Sequence, residues 1–528
     1  MSDFADAPLI RDQLVLFSTK LDEIVPQNHC VRMLDDILER IDWTKWEHLY
    51  DRRRGQPPIH PRVLAGAILY GILTRIRSSR SLEEALIVRN DFRWLVSGRT
   101  IDHTTLSKFR QKNAQALKDL FVQVGLVAQS LGYMPLSVLG FDGTRIRANN
   151  RRSGSRTPEE LRKAQKELAE KFQELEAKTA ALDASEEEQL GQLKNHELAK
   201  QLANVANRRK LVDAALAEVE RLKEAGQGVP NRIPITDPES RITPNKDGGF
   251  APNFTPIATV DIDSGLIVSA TVIPHTDEDK HMFSALEDVK ESFSLSEPPK
   301  ELLADGMMAT GDNLAQCQAA GIDFYSPIRL GVSTDNPANR EDPTQAVASK
   351  DIDRLPTITT KTKSGAQVTR FRKEAFVYDA ENNCYWCPAG KALPFAKQTS
   401  EPSGDKRIVR YRYMSSRSDC AQCPLASRCI TSSTPQRQVE HTQHEELRVA
   451  HAKKMAEEES KRKYARRRHA GERPFAMIKQ HFGVRQFLTR GLAKVRSEWL
   501  WLTTAFNLHR LMRLMAKGTG PPIKELAS

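Results

Sequence analysis

The sequence predicts an α/β protein: a mixed sheet flanked by helices, preceded by an all-α block and interrupted by two insertions. Three observations carry this. Residues 20–130 repeat apolar side chains at helical spacing. From residue 135 the pattern changes to short β-rich runs, three in succession and then alternating with helical segments, the order of a mixed sheet covered by helices. Two stretches break that order: 157–226, rich in Glu, Lys, Ala and Leu, and 331–450, which holds five of the seven cysteines.

In the helical block, "HPRVLAGAILYGILTRIR" places Leu64, Ile68, Ile72 and Ile76 one turn apart. "SRSLEEALIVRNDFRWLVSG" begins on serine and stops on glycine, and "IDHTTLSKFRQKNAQAL" follows with Asp102 or Thr104 as its cap. Two helices joined by a tight turn, the second showing Thr104, Thr105, Ser107, Lys108, Arg110 and Lys112, resemble a helix-turn-helix. That makes Lys108 and Arg110 candidate DNA contacts. The alternative is an ordinary helical hairpin with a solvated polar face.

Further along, "LSVLGFDGTRI", "NFTPIATVDID", "LIVSATVIP", "ELLADG" and "DFYSPI" read as strands, the second and third joined by the turn "DSG". "FSALEDVKESF" and "GDNLAQCQAAG" read as helices. Within 157–226, Leu161, Leu168, Leu175 and Leu182 recur every seven residues. Leu198, Leu202, Val205, Val212, Leu216 and Val219 form a second seam, and the break at "DASEEE" predicts an antiparallel coiled-coil hairpin. Residues 331–383 are polar and read as loop with short strands. Beyond the cysteines, "EELRVAHAKKMAEEESKRKYARRRHAGERPFAMIKQHFG" reads as helix running through a basic patch that includes Arg466, Arg467 and Arg468. "SEWLWLTTAFNLHRLMRLM" reads as a closing amphipathic helix with Trp499 and Trp501 in the core. The expected organisation is a helical N-terminal DNA-binding domain (1–130), a mixed-sheet core (131–330) interrupted by the hairpin, a cysteine-bearing insertion (331–450), and C-terminal helices that complete the core (451–528).

A chain of 528 residues exceeds one ordinary core. Its net charge of +11 favours a polyanionic partner such as DNA or RNA. No run of eighteen apolar residues occurs, which argues against a membrane span. "MSDFADAPLIRDQL" lacks the basic-then-apolar order of a secretory signal, so the expected location is the cytoplasm.

Three carboxylates stand out by position: Asp142 at the end of the first strand, Asp305 after "ELLA", and Glu472 in the basic helical segment. Phosphodiester chemistry needs such groups, because Mg²⁺ prefers oxygen ligands and two ions about 4 Å apart serve both the attacking and the leaving oxygen. Arg145 and Arg147 follow Asp142 closely, and their partner is either that carboxylate or a DNA phosphate.

The order of Asp142, the hairpin strands, "LLADGMMATGDNL" and Tyr464, Arg468, Glu472 and Lys479 resembles the DDE transposases of bacterial insertion sequences, which have a ribonuclease H-like fold. Arg468, Glu472 and Lys479 match that family's spacing of Arg, three residues, Glu, six residues, Lys. Tyr464 stands one residue further from the Arg than in the commonest version. "PNFTPIATVDIDSGLIVSATV" resembles the family's second and third strands, with "PNF" where "GYN" is usual. "GQPPIHPRVLAGAILYGI", "SSRSLEEAL" and "DHTTLSKFR" resemble the helical domain that precedes the core. The resemblance implies that Asp142, Asp305 and Glu472 hold two Mg²⁺, with Mn²⁺ able to substitute. It also implies that Arg468 and Lys479 contact the DNA backbone, with Tyr464 and Arg467 beside them. The substrates would be double-stranded terminal inverted repeats and target DNA, and the active complex a homodimer. A metal-dependent nuclease or resolvase of the same fold, and a catalytically silent DNA-binding regulator, are the competing readings.

Cys384 and Cys387 in "CYWC", with Cys420 and Cys423 in "CAQC", have the spacing of a structural Zn²⁺ site. Cys429 is a substitute ligand, and His441 and His444 are further donors. Reduced thiols without metal are the alternative. Cys30 and Cys317 sit in helical patterns and are expected in the core.

Overall fold

The computed structural model describes residues 20–50, 58–150, 154–183, 188–245, 248–328, 336–361, 367–403, 406–431 and 434–517. The N-terminal stretch read for a secretory signal, and most of the "DASEEE" break, lie outside the described residues, as do the side chains of Lys112 and Leu182. The chain divides into two compact units, 1–127 with 501–528, and 128–500. Among the described residues no helix is long and apolar enough to cross a membrane.

The first unit is helical: α1 Cys30–Glu39, α2 Thr44–Glu47, α3 Pro61–Leu73, α4 Ser79–Val88, α5 Asn90–Leu95, α6 His103–Lys112 and most of α7 Ala114–Ser130. α3 has no polar face and is accordingly buried on nearly every side, from Leu64 through Ile68 to Ile72. Pro61 occupies its first turn, where a missing N–H costs nothing, and His60 accepts from the Arg62 N–H. Trp46 is fully buried, stacked on Phe109 at 4.8 Å and 6.3 Å from Trp501. Asp102 caps α6 by accepting from the backbone of Thr104 and Thr105. Hydrogen bonds from the Thr105 and Thr104 side chains lead in holding its carboxyl well below the usual range. Cys30, expected in the core, is exposed.

The second unit carries the main sheet. Its strands are β1 Val138–Gly143, β2 Ile146–Arg147, β3 Ser155–Arg156, β4 Ile233–Pro234, β5 Arg241–Pro244, β6 Phe250–Asp261, β7 Ile267–Ile273, β8 Glu301–Ala304 and β9 Asp323–Tyr325. Reading across, β7 pairs β6 and β6 pairs β1, both antiparallel; β1 pairs β8 and β8 pairs β9, both parallel. β3 and β4 form a separate small ladder, and β2 and β5 extend the N-terminal end of β6. β1 and β8 are apolar without alternation: Leu139, Phe141, Leu302, Leu303 and Ala304 are all fully buried, as strands covered on both faces require.

Between β3 and β4, α8 Pro158–Asp183 and α9 Glu188–Glu224 run side by side. Arg162 meets Glu220, Gln165 donates to Asp213, and Arg209 lies over Phe172, so the partner number falls as the first rises and the pair is antiparallel. Leu161, Val212, Ala215 and Val219 form its core with Ile233 of β4. The crossovers into β8 and β9 are α10 Met282–Ser292 and α11 Gly311–Ala319.

A second antiparallel sheet follows. After the hairpin β10 Thr357–Lys361 and β11 Gln367–Phe371 come β12 Val377–Asp379, β13 Cys384–Trp386, β14 Ala392–Ser403, β15 Lys406–Met414 and β16 Gln438–Thr442, each of these five paired with the next. The short helix α12 Arg417–Ala421 lies between β15 and β16. Phe371, Tyr385, Leu393, Tyr413 and Val439 form the core of this module.

The basic stretch expected as one helix is three: α13 Glu445–Ala456, α14 Glu458–Ala470 and α15 Glu472–Gln480. Glu457 is extended (φ −68, ψ 143), which ends the first. Pro474 explains the second break, because its ring collides with the carbonyl four residues back, at Ala470, and it donates no hydrogen bond. α16 Leu492–Ala516 closes the chain. Its Trp499 is fully buried, donates to the Ile257 carbonyl at 3.3 Å and stacks on Phe475.

Asp237 and Glu239 hold the start of α16, accepting from the backbone of Gly491 (3.1 Å) and Leu492 (2.7 Å). The second carboxyl oxygen of Asp237 is buried without a hydrogen bond, and burial pushes this acid up to about 6. A carboxyl raised on folding binds its proton more tightly in the folded state. Its stabilising contribution is therefore complete below the unfolded value near 4 and is lost as pH rises through about 6. Relative to Asp237→Asn, the unaltered protein should gain thermal stability as pH falls from 7 to 4, measured by melting temperatures across that range.

Candidate active site

The parallel register decides where two carboxylates meet. Val138 to Phe141 of β1 lie opposite Glu301 to Ala304 of β8. Asp142 and Asp305 are each the next residue, one step past the last pair on neighbouring strands. Beyond the strand, Asp305 folds into a tight turn: its side chain accepts from the Met307 N–H (2.7 Å) and its carbonyl from the Ser326 hydroxyl (2.6 Å). Asp142 accepts from the Gly143 N–H at 2.9 Å.

Glu472 opens α15, and Arg467 of α14 links it to the strand ends. The guanidinium lies 3.0 Å from the Asp142 carboxylate and 3.7 Å from that of Glu472. The Arg467 and Asp142 side chains are 10% and 14% exposed whereas Glu472 is 59% exposed, so the buried half of the contact is the tight one. Tyr464, one turn earlier, packs with Val138, Leu303, Ile262 and Tyr325. Burial pushes its hydroxyl up; the Arg467 charge opposes this, and Asp305 and Asp142 add to it. Lys479, two turns into α15, donates to the Thr144 hydroxyl at 2.5 Å. Tyr464, Arg467, Glu472 and Lys479 thus gather around the end of β1.

The three consecutive arginines divide their work. Arg466 pairs with Asp263 at 2.6 Å, Arg467 faces the carboxylates, and Arg468 is exposed. Arg468 fits the expected spacing, but Arg467 takes the contact with the site. Helical phase explains this: Ser460, Tyr464, Arg467 and Gly471 follow one another at four, three and four residues, a stripe facing inward. The adjacent Arg468 falls off that line. Part of the basic run is spent within the protein, since Lys463 pairs with Glu301 (2.8 Å) and Lys454 with Asp323. Arg145 donates to the Pro244 carbonyl at 3.0 Å, and Arg147 is exposed. In the helical unit Lys108 is exposed, and Arg110 donates to the Arg77 carbonyl.

One residue escaped the reading of motifs. A Cβ added to Gly143 would stand 2.3 Å from a carboxylate oxygen of Glu278, so this side chain lies directly against the backbone beside Asp142. Glu278 belongs to a 3₁₀ turn, Glu278–His281, just before α10. The available signals were an acidic run, "TDEDKH", and a glycine after the strand-end aspartate; only the fold brings them together.

The cysteines fall into unequal groups. Cys387, Cys420, Cys423 and Cys429 line one cavity of about 350 Å³, at which Cys384 is absent. Cys384 is buried elsewhere, on β13, and Asp379 is its electrostatic neighbour. Cys384 lies on β13 opposite Asp379, whereas Cys387 follows the strand and opens the turn into β14, so "CYWC" divides its pair between strand and turn. Burial pushes the Cys387 and Cys429 thiols up, Cys429 to about 12, with Cys420 and Cys423 adding to both. His441 is buried against Tyr385, and burial pulls it down to about 4.

Among the described residues no group of three or more His, Cys, Asp or Glu side chains stands close enough together to hold a metal ion. By donor type the strand-end acids suit a hard divalent cation, being carboxylate oxygens on adjacent rigid strands with a third on a covering helix.

Residues 386–512 match a family model described as Transposase DDE domain, and residues 19–112 match one described as Transposase domain (DUF772). The first match includes Arg467, Glu472 and Lys479; Asp142 and Asp305 lie outside both. No curated protein matches the chain.

Arg467→Ala removes the guanidinium that faces the largely buried Asp142 carboxylate and should destabilise the protein by about 3 kcal/mol, whereas Arg468→Ala should stay within about 0.5 kcal/mol. Urea denaturation midpoints of the two variants test this.

Proposed function

Since both matched segments make this chain a DDE transposase of an insertion sequence, we propose that it cuts DNA at the ends of its element and joins those ends to a target. The observation that carries this is the placement of Asp142 and Asp305 one step beyond the parallel pair β1–β8, with Arg467 tying Asp142 to Glu472. The strand order β7–β6–β1–β8–β9 supports a ribonuclease H-like core.

Two Mg²⁺, or Mn²⁺ in their place, held by Asp142, Asp305 and Glu472 would help to activate the attacking oxygen and stabilise the leaving one. The chain's own residues do the positioning. Rigid strand ends fix two of the carboxylates, and Thr144 holds the Lys479 ammonium where it can meet a phosphate of the backbone near the cut. Arg467 balances the negative charge of the acids, and exposed Arg468 extends the cationic surface to the same strand of DNA. Water cleaves a phosphodiester and frees a 3′-hydroxyl; that hydroxyl then attacks a target phosphodiester and displaces a second 3′-oxygen. Alignment of nucleophile and phosphate, with charge stabilisation, supplies most of the rate. The helical unit, with Lys108 on α6, reads the terminal inverted repeats, and two copies of the chain hold the two ends.

With labelled element-end DNA and Mg²⁺, the protein should yield nicked and joined products. Asp142→Asn, Asp305→Asn and Glu472→Gln should each reduce both by at least about 100-fold. Lys479→Ala should weaken binding and flatten its salt dependence. Cleavage that survives in Asp142→Asn overturns the assignment. Nicks without joined products would make the protein a nuclease.

A further inference from the structure

We propose that Cys387, Cys420, Cys423 and Cys429 bind one structural Zn²⁺, and that Cys384 takes no part. The four come from two separate arms of the second sheet. Cys387 directly follows β13 and opens the turn into β14, while Cys420, Cys423 and Cys429 belong to the excursion between β15 and β16. Both arms end at the same cavity, and none of the five cysteines of this module is disulfide-bonded.

Each arm has features that suit a thiolate. In the first, the Lys391 N–H points at the Cys387 sulfur at 3.3 Å, and the Gly390 N–H donates to the Cys387 carbonyl at 2.9 Å. Gly390 has φ +72, and a Cβ there would stand 2.2 Å from the Thr344 carbonyl oxygen, so the turn requires glycine. In the second arm, the Ser415 hydroxyl lies 3.0 Å from the Cys420 sulfur, and the Cys423 N–H donates to the Cys420 carbonyl at 3.3 Å. Here C-x-x-C sits on a helical end and turn, where residues three apart can face one point, whereas Cys384 lies on β13 opposite Asp379 and Cys387 follows that strand.

Charge and folding argue the same way. Four thiolates around Zn²⁺ carry a net charge of −2, and Arg437 is placed to offset it, its guanidinium 3.2 Å from the Cys429 carbonyl oxygen. That arginine is anchored by the Phe371 carbonyl at 2.8 Å and lies over the Phe376 ring. Over its described residues the helical elements of the excursion from Ser415 to Arg437 are α12 and the 3₁₀ turn Ala426–Arg428, and Leu425 and Cys429 pack against the module's core. So long an irregular segment has little core of its own and gains from a cross-link. Zn–S bonds of about 2.3 Å would draw the four sulfurs to one centre and clamp the excursion onto the strands. Four thiolates leave no open coordination position, which makes the role structural.

The experiment uses the full chain, purified without added metal. Elemental analysis should find about one Zn²⁺ per chain, and replacement by Co²⁺ should give the visible spectrum of a tetrahedral tetrathiolate. Cys384→Ser should retain the zinc, and Cys429→Ser should fall to about none. Because a ligand variant can fail to fold, the unaltered protein supplies a second readout. Alkylation followed by mass spectrometry should show Cys387, Cys420, Cys423 and Cys429 protected together and exposed together when a chelator is added, with no chelator effect at Cys384. Zinc lost in Cys384→Ser but kept in Cys429→Ser overturns the proposal. So does iron in place of zinc, a disulfide among the four, or protein that carries no metal and alkylates without regard to chelator.

Discussion

Two negative charges held one step past a parallel strand pair repel each other, and much of the surrounding structure answers that repulsion. The pairing of β1 with β8 cannot be relaxed, because the two strands form the buried centre of the sheet and their apolar residues have no alternative environment. Asp142 and Asp305 must therefore stay close. The response is cationic and comes from α14: Arg467 reaches Asp142 from a helix that is itself pinned to the sheet by Lys463 on Glu301 and by Tyr464 against Val138 and Leu303. A guanidinium is suited to this position, since its charge is permanent and its planar fork serves two carboxylates at once.

The junction of α14 and α15 serves the same strand end. Gly471 keeps helical geometry between them (φ −74, ψ −42), and Glu472 starts α15, from which Lys479 also reaches Thr144, two residues beyond Asp142. Gly143, between them, lets the Glu278 carboxylate approach the backbone. Three neighbouring positions at one strand end are thus each tied to a different element. Such a site is preorganised by its supports, which suits a reaction that depends on alignment and electrostatics more than on covalent chemistry.

The cysteine module follows a separate logic. Its sheet has an aromatic core, with Tyr385, Tyr413 and Phe371 all fully buried, and needs no help over that part. The excursion between β15 and β16 is different, because its few apolar residues cannot offset the entropy of ordering so long a segment. Thiols from both arms gather where that deficit is greatest.

Much of this was legible in the sequence through periodicity and punctuation. The helical block, the strands around Asp142 and Asp305, the crossover helices, the paired segments α8 and α9 and the burial of Trp499 and Trp501 all follow from local patterns of apolar residues, which depend only on neighbours along the chain. The three acids were visible as carboxylates at element ends. What tertiary structure decided is which side chains share a point in space. Spacing marked Arg468 and "CYWC"; the docking of α14 turns Arg467 toward Asp142, and the fold brings Cys387, Cys420, Cys423 and Cys429, without Cys384, to one cavity. Glu278 meets Gly143 across more than a hundred residues, through packing that no local pattern encodes. Local pattern determines what an element is and which face is apolar, whereas the rotation and register with which it docks depend on every surface it touches.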